Sequence, residues 1–386
     1  MQEDVTKIQV RRLDGAPTDE TWGQLGRRLP EDQAFLANRW ISAWADTQLP
    51  RNRWRGPTHY YAAFASTGEP MGILPFAYQH YGPLRLTSLG GYYFPFRGLP
   101  FARAHEASVA RALSSALRST HQLAVRIGPI CRNQASTQAL ATALRADGWA
   151  VLVQPRGTEY AVELADSVER FRATNMSANL RSSIGRKHRR MQKEGNVRLE
   201  RYSGLTPQAW QPVLRDMATI ERSSWVGKSG GFLHFVDAGN AAFWSACLSG
   251  EYMSSASQAC VLYFNDQPCA FEFWFDSGRS RYFIAGLHDD NVAQYSPGYY
   301  LMQLMLEDAI QRGLSHARLG QGDAGYKGRF GAKAADFIDD WIVVYPGLLA
   351  RGAEALWKIR RTLDVLWQKR PRRAAERHQK AAAEDA

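Results

Sequence analysis

One order of elements is written twice in this chain, and that repeat constrains the fold more than any other feature. Tyr60–Ala65 reads as a strand, Ser66-Thr67-Gly68-Glu69-Pro70 as a turn and Met71–Tyr78 as a second strand. About 200 positions later Gln258–Phe264, Asn265-Asp266-Gln267-Pro268 and Cys269–Phe275 read as strand, turn and strand again. A helix and then a strand follow at similar offsets, Ala104–Arg118 with Leu123–Ile127 and Pro297–Arg312 with His316–Leu319. A repeat of this length is a duplicated domain rather than a solenoid unit. With 386 residues, 45% of them apolar, the chain can bury two full cores. The expected fold class is therefore α/β (α+β): two lobes, each a mixed, mainly antiparallel sheet flanked by helices. The boundaries read as residues 1–165 for the N-terminal lobe, 166–202 for a basic linking helix and strand, 203–345 for the C-terminal lobe and 346–386 for a basic amphipathic tail.

The remaining elements fit this frame. Residues 1–30 are polar and are expected to fray. Phe35, Leu36, Trp40 and Trp44 recur at helical spacing and predict one helix over Asp32–Gln48. Leu84–Leu89 and Tyr92–Pro100 read as short strands, Ala135–Ala146 as a helix, and Trp149–Val153 and Tyr160–Leu164 as strands. A long helical stretch opens at Asp166-Ser167-Val168-Glu169, carries the stripe Leu180, Ile184 and Met191, and stops at Gly195. Val197–Tyr202 reads as a strand, and Pro207–Arg222 and Ala241–Tyr252 as helices. Ser280–Gly286 is a third strand of the C-terminal lobe, and Phe337–Val344 closes it.

Composition narrows the partners. The net charge of +11 draws phosphates, anionic lipid or nucleic acid without choosing among them. Its sharpest cluster is Arg181, Arg186, Lys187, His188, Arg189, Arg190 and Lys193, read either as a solvated helix face or as a receiver of an acidic glycan, lipid phosphate or RNA. No aromatics interleave it, so a nucleic-acid platform is not expected. The four cysteines match no metal or redox spacing, and no metal site is expected. The acidic N-terminus lacks an apolar signal region, and no apolar run is long enough to span a membrane. A cytoplasmic protein is expected.

Several segments, taken in order, resemble the CelD/BcsL-type acetyltransferases of the GNAT superfamily. They are Trp40-Ile41-Ser42-Ala43-Trp44, Gly72-Ile73-Leu74-Pro75-Phe76, Asn179-Leu180-Arg181 through Gly195, and Glu221–Lys228. Tyr295-Ser296-Pro297-Gly298 and Gly322-Asp323-Ala324-Gly325-Tyr326-Lys327 are the most specific. The resemblance covers about Phe35 to Tyr345. It implies two fused GNAT-like lobes, kinship with the Fem aminoacyl transferases, and acyl transfer from acyl-CoA to an amine or hydroxyl acceptor. Envelope polysaccharide or lipid biosynthesis is one setting it suggests.

Within that frame the C-terminal lobe holds the acyl-CoA site. A helix N-terminus offers unpaired N–H donors and a positive dipole end to an anion. Ser296, Pro297, Gly298 and Tyr299 form such an end: Ser296 to cap, Pro297 to preset the helix, Gly298 to let the backbone come close to a pyrophosphate. The superfamily's usual Arg/Gln-x-x-Gly-x-Gly/Ala loop is absent, and an ordinary capped helix is the plainer reading. The resemblance implies an oxyanion donor from the backbone of Ser280–Gly286, which leaves side chains only the protons to handle. Asp323 is placed to accept a proton or orient an amine, Tyr326 to donate to a departing thiolate, and Lys327 to contact a phosphate. Otherwise Asp323 caps a turn and Lys327 is solvated. Glu272 interrupts Phe271, Phe273, Trp274 and Phe275, which is costly unless it is paired or lies at a cleft. It is read as a general base with a raised pKa, or as part of an exposed strand face. Glu221, Trp225 and Lys228 suit an acceptor pocket, with a core Trp at a helix end as the alternative.

Two other functions remain open on the sequence, a Fem-like aminoacyl-tRNA-dependent transferase and a non-catalytic binding protein on the same fold. The tail carries Leu349, Ala353, Leu356, Ile359, Leu363 and Leu366 at three- and four-residue steps, widened by Trp357 and Trp367 and flanked by cations. Such a helix either packs on the enzyme or makes peripheral contact with an anionic membrane at the inner face.

Overall fold

The computed structural model describes residues 7–48, 54–81, 84–91, 98–322 and 325–369. Its strands are β1 (Gln9–Leu13), β2 (Trp54–Phe64), β3 (Pro70–Tyr81), β4 (Leu84–Leu89), β5 (Ala124–Cys131), β6 (Ala150–Glu163), β7 (Val197–Ser203), β8 (Ser257–Phe264), β9 (Gln267–Ser277), β10 (Ser280–His288), β11 (His316–Gln321) and β12 (Lys333–Val344). The helices are α1 (Asp19–Gly26), α2 (Trp40–Gln48), α3 (Glu106–Ser119), α4 (Ala135–Ala146), α5 (Val168–Asn175), α6 (Ala178–Glu194), α7 (Trp210–Ser223), α8 (Trp225–Ser229), α9 (Ala238–Cys247), α10 (Glu251–Ala256), α11 (Pro297–Gln311) and α12 (Leu348–Lys369).

The repeat is real in topology. In each half an antiparallel hairpin, β2–β3 or β8–β9, leads to a strand, a helix and a strand that pairs in parallel with the one before. The parallel pairs are β4–β5 and β10–β11, and every other ladder is antiparallel. The mixed, mainly antiparallel α/β architecture expected from the sequence is present.

The halves do not carry separate sheets. All 12 strands form one sheet in the order β1-β2-β3-β4-β5-β12-β6-β11-β10-β9-β8-β7. Strand β12 follows the whole C-terminal half in sequence yet lies between β5 and β6, and β6 in turn pairs with β11. Buried ion pairs hold the inserted strand. Asp340 accepts from both Arg126 and Arg156, and Asp339 from Arg132, at 2.7–2.8 Å. Carboxylates this deep persist because each is paired.

The N-terminal segment also departs from the sequence reading. Residues 1–6 lie outside the described part, but β1 pairs with β2, and α1 buries Trp22 and Leu25. Asp32–Gln48 is not one helix. A 3-10 segment, Glu31–Ala37, precedes α2, and Arg39 between them takes a left-handed φ of 68°. The break turns two apolar surfaces toward the C-terminal half. Phe35 packs on Phe275 with ring centroids 4.9 Å apart, and Trp40 meets Trp244 edge-on at 5.9 Å. One core therefore runs from Trp22 through Trp44 to Trp210, Phe243 and Phe273. The basic linking helix is likewise two helices, α5 and α6, broken at Met176-Ser177, where the Ser177 hydroxyl caps α6.

Candidate active site

Strands β10 and β11 start as a parallel pair and then part. Their ladder joins Ser280 to His316, Arg281 to Ala317 and Tyr282 to Arg318, and goes no further, although β10 runs on to His288 and β11 to Gln321. The register also shifts between Phe283 and Ala285 on the β9 side. A bulge there turns the strand away from its parallel neighbour. The gap opens into a cavity of about 780 Å³ lined by Glu272, Gly286, Leu287, His288, Ser296, Gly298, Tyr299, Gln321, Gly322, Tyr326 and Lys327, with Trp225 and Ala293 at its edge. A cleft of that size suits a drug-sized to cofactor-sized ligand.

The N-terminus of α11 forms one wall. Pro297 takes the first helical position, where its missing N–H costs nothing. Ser296 does not cap with its side chain, contrary to the sequence reading. It sits at a left-handed φ of 51°, and its hydroxyl instead accepts from Lys187 Nζ at 2.7 Å. Among the described residues the Gly298 N–H has no acceptor. A Cβ on Gly298 would meet only His288 Nδ1, at 3.5 Å, so a side chain there would project into the cleft. Helix α11 is fixed to the sheet from below by Arg281. This fully buried side chain donates to Asp276, to Asp308 and to the Met305 carbonyl at 2.6–2.9 Å.

Glu272 lies on the opposite wall. It is 3% exposed, and its carboxyl has no hydrogen-bond partner among the described residues. Burial pushes its pKa well above the ordinary carboxylate range, which favours the neutral acid. Tyr326 is raised by burial and further by Glu272 and Tyr299. His288, which sequence reasoning passed over as a site residue, is lowered by burial against the opposing pull of Asp290 and Asp289, and is a neutral imidazole beside the helix end. Its only signal in the sequence is its place at the end of the third strand.

The fold gathers Glu272, Ser296, Gly298, Tyr299, Tyr326, Lys327 and Trp225 around one space. Trp225 stands 62% exposed at the rim. Lys327 is buried and spends its ammonium on the Gly320 and Gln321 carbonyls at 3.3 and 3.0 Å, so it ties the end of β11 rather than being solvated. Lys228 does not line the cleft and pairs with Asp290 at 2.7 Å. Asp323 lies outside the described residues.

Glu221 corrects the sequence reading. It is fully buried and receives the N–H groups of His234, Phe235 and Val236 at 2.7–2.8 Å. Three donors satisfy the carboxylate and fix the loop that follows α8. No acid is left to offer an acceptor. The cationic cluster is likewise divided. Arg181 caps the end of α5 through the Arg172 and Met176 carbonyls, Lys187 reaches Ser296, His188 stacks on Tyr300 at 3.8 Å, and Arg190 pairs with Glu194. Arg186, Arg189 and Lys193 remain exposed. No group of three or more His, Cys, Asp or Glu side chains among the described residues is arranged to hold a metal ion.

A hairpin, a third strand, a helix whose N-terminus faces a parted parallel ladder and a cleft in the gap make up the C-terminal half of the sheet. Residues 178–328 match the family model of an acetyltransferase (GNAT) domain. Among solved structures the chain is similar to FemX, with a TM-score of 0.58 and 10% identity over 86% of this chain and 96% of that one. It is also similar to the C-terminal domain of a putative lysylphosphatidylglycerol synthetase from Agrobacterium fabrum, with a TM-score of 0.50 and 12% identity over 88% and 93%. A conserved protein of unknown function from Bacteroides thetaiotaomicron gives a TM-score of 0.50 and 10% identity over 87% and 100%. At these identities the likeness is one of fold, and it spans both halves. No curated protein matches the chain in sequence.

Proposed function

We propose that this chain transfers an acyl group from acyl-CoA to an amine or hydroxyl acceptor in the cleft between β10 and β11. The observation that carries this reading is the parted ladder beside the α11 N-terminus, with a buried, unpartnered acid on the facing wall. The residues fit the donor. The open Gly298 N–H and the positive end of α11 favour a pyrophosphate, and Gly298 leaves it room. Lys187, held at Ser296, adds a cation to the same corner. Acyl-CoA bound there supplies an activated thioester. Backbone N–H groups of β10 on the open side then face the developing oxyanion. His288, neutral at working pH, takes the acceptor's proton, and Tyr326 returns one to the thiolate. Glu272 is the second proton carrier on the wall, and Trp225 at the rim supplies an apolar face for the acceptor.

Among the described residues the matching stretch of the N-terminal half is packed shut: Leu99, Phe101 and Ala102 are buried where it bridges back to β3, ahead of α3. The second reading is a Fem-like transfer from aminoacyl-tRNA, favoured by the FemX-like fold and by exposed Arg186, Arg189 and Lys193 along α6. Calorimetric titration with CoA, acetyl-CoA and aminoacyl-tRNA separates the two. Micromolar CoA binding that disappears in a folded Gly298→Val variant supports the first. Binding of aminoacyl-tRNA without CoA binding supports the second. Tyr326→Phe and Asp323→Asn are expected to bind CoA yet lose turnover.

A further inference from the structure

Helix α12 turns its leucine-rich face to the solvent. It packs on β6 and β12 through Ala350, Ala353 and Trp357, against Ala150, Leu152, Ile342 and Val344. Leu348, Leu349, Leu356 and Ile359 point elsewhere and are 85, 57, 69 and 57% exposed. At about 100° per residue these four fall within one face about 100° wide. They are half of the eight large hydrophobic side chains exposed among the described residues, so this is a patch and not the usual scatter. Leu123, also 67% exposed, lies close in the chain's path, its carbonyl accepting from Tyr345 N–H just before the helix.

Exposed cations flank the face on both sides, Arg351 and Lys358 along one edge and Arg360 along the other. Two copies of the chain packed through this face would bring those cations together. A layer of anionic headgroups meets them with opposite charge while the leucines enter the acyl boundary. The helix cannot span a bilayer, since no helix among the described residues is long and apolar enough. We propose that α12 docks the protein on an anionic lipid surface, lying in the interface with Leu348, Leu349, Leu356 and Ile359 immersed.

Flotation of the full chain with vesicles tests this without reference to catalysis. The wild type should float with phosphatidylcholine vesicles containing phosphatidylglycerol at low salt, and stay behind with phosphatidylcholine alone. Leu356→Glu with Ile359→Glu should cut the bound fraction by at least about tenfold. The substituted side chains are exposed, so circular dichroism and melting should not change. Lys358→Ala with Arg360→Ala should weaken binding to the anionic vesicles by about tenfold. A wild type that floats with neither vesicle overturns the proposal, as does a Leu356/Ile359 variant that floats undiminished. So does a wild-type dimer that this variant splits on light scattering with no vesicle binding in either, since the face is then a protein interface.

Discussion

Gly286 and Glu272 face each other across β10 and β9, and a Cβ on Gly286 would collide with the Glu272 carboxyl. The absent side chain is the space the carboxyl occupies. Gly286→Ala should therefore push the acid out of the wall without disturbing the ladder. Thiol release from acetyl-CoA in the presence of an amine panel should fall at least about tenfold, a loss of roughly 1.4 kcal/mol in transition-state stabilisation. Unchanged turnover in a folded variant would remove Glu272 from the proposed chemistry.

The raised pKa of Glu272 has a signature in stability. Its folded value lies well above the ordinary 4.5, so between the two values the native state holds a proton that the unfolded chain has lost. Stability contributed by the neutral acid is complete below the unfolded pKa and declines as pH rises toward the folded one, by up to about 1.4 kcal/mol per pH unit. Urea midpoints measured from pH 5 upward should fall more steeply for the wild type than for Glu272→Gln, whose amide does not titrate. Parallel curves would contradict the protonated state.

For Glu221 the expected loss is in stability and not in binding. Glu221→Gln keeps one carbonyl oxygen for three N–H donors and should destabilise the fold by about 1–3 kcal/mol. The affinity for CoA should stay within about twofold of wild type at temperatures where the variant is folded. A variant of wild-type stability would show that the loop after α8 is held by other contacts.

Arg281 is buried between Asp276 and Asp308. Arg281→Met leaves Asp276 with Gln258 and Asp308 with Arg201 and Arg312, but removes the fully buried partner of both, and should cost about 1–3 kcal/mol. Because Arg281 also holds the Met305 carbonyl, α11 should loosen first. Hydrogen exchange should rise across Pro297–Gln311 before it rises in α3 or α4. Uniform exchange would mean that the cluster does not anchor this helix.

Much of this was legible in the residues. Pro297 marked the start of α11, and short apolar runs bounded by turn residues marked β8, β9 and β10, because both are local signals. The lone acid among Phe271, Phe273 and Trp274 pointed to a cleft for the same reason. What stayed hidden depends on distant partners. Local composition says that Phe337–Val344 is a strand but cannot say that its neighbours are β5 and β6. Nothing near Glu221 announces three N–H groups arriving from His234, Phe235 and Val236. The leucine stripe of the tail was visible, but which face would pack was not. The smaller Ala350, Ala353 and Trp357 face fits the sheet, and the leucines remain outside.

The seat of β12 between β5 and β6 bears on how the chain comes off the ribosome. Residues up to Glu163 emerge with every helix of the first half and all but one of its central strands, yet β5 and β6 cannot pair with each other across the missing one. Until Val344 has emerged, their facing edges stay open to any other strand. The halves therefore cannot mature one after the other, as separate domains do. The long-range ladder that joins them must close last, and at this sequence separation it closes slowly. Cells making this protein have most reason to shield it in that interval.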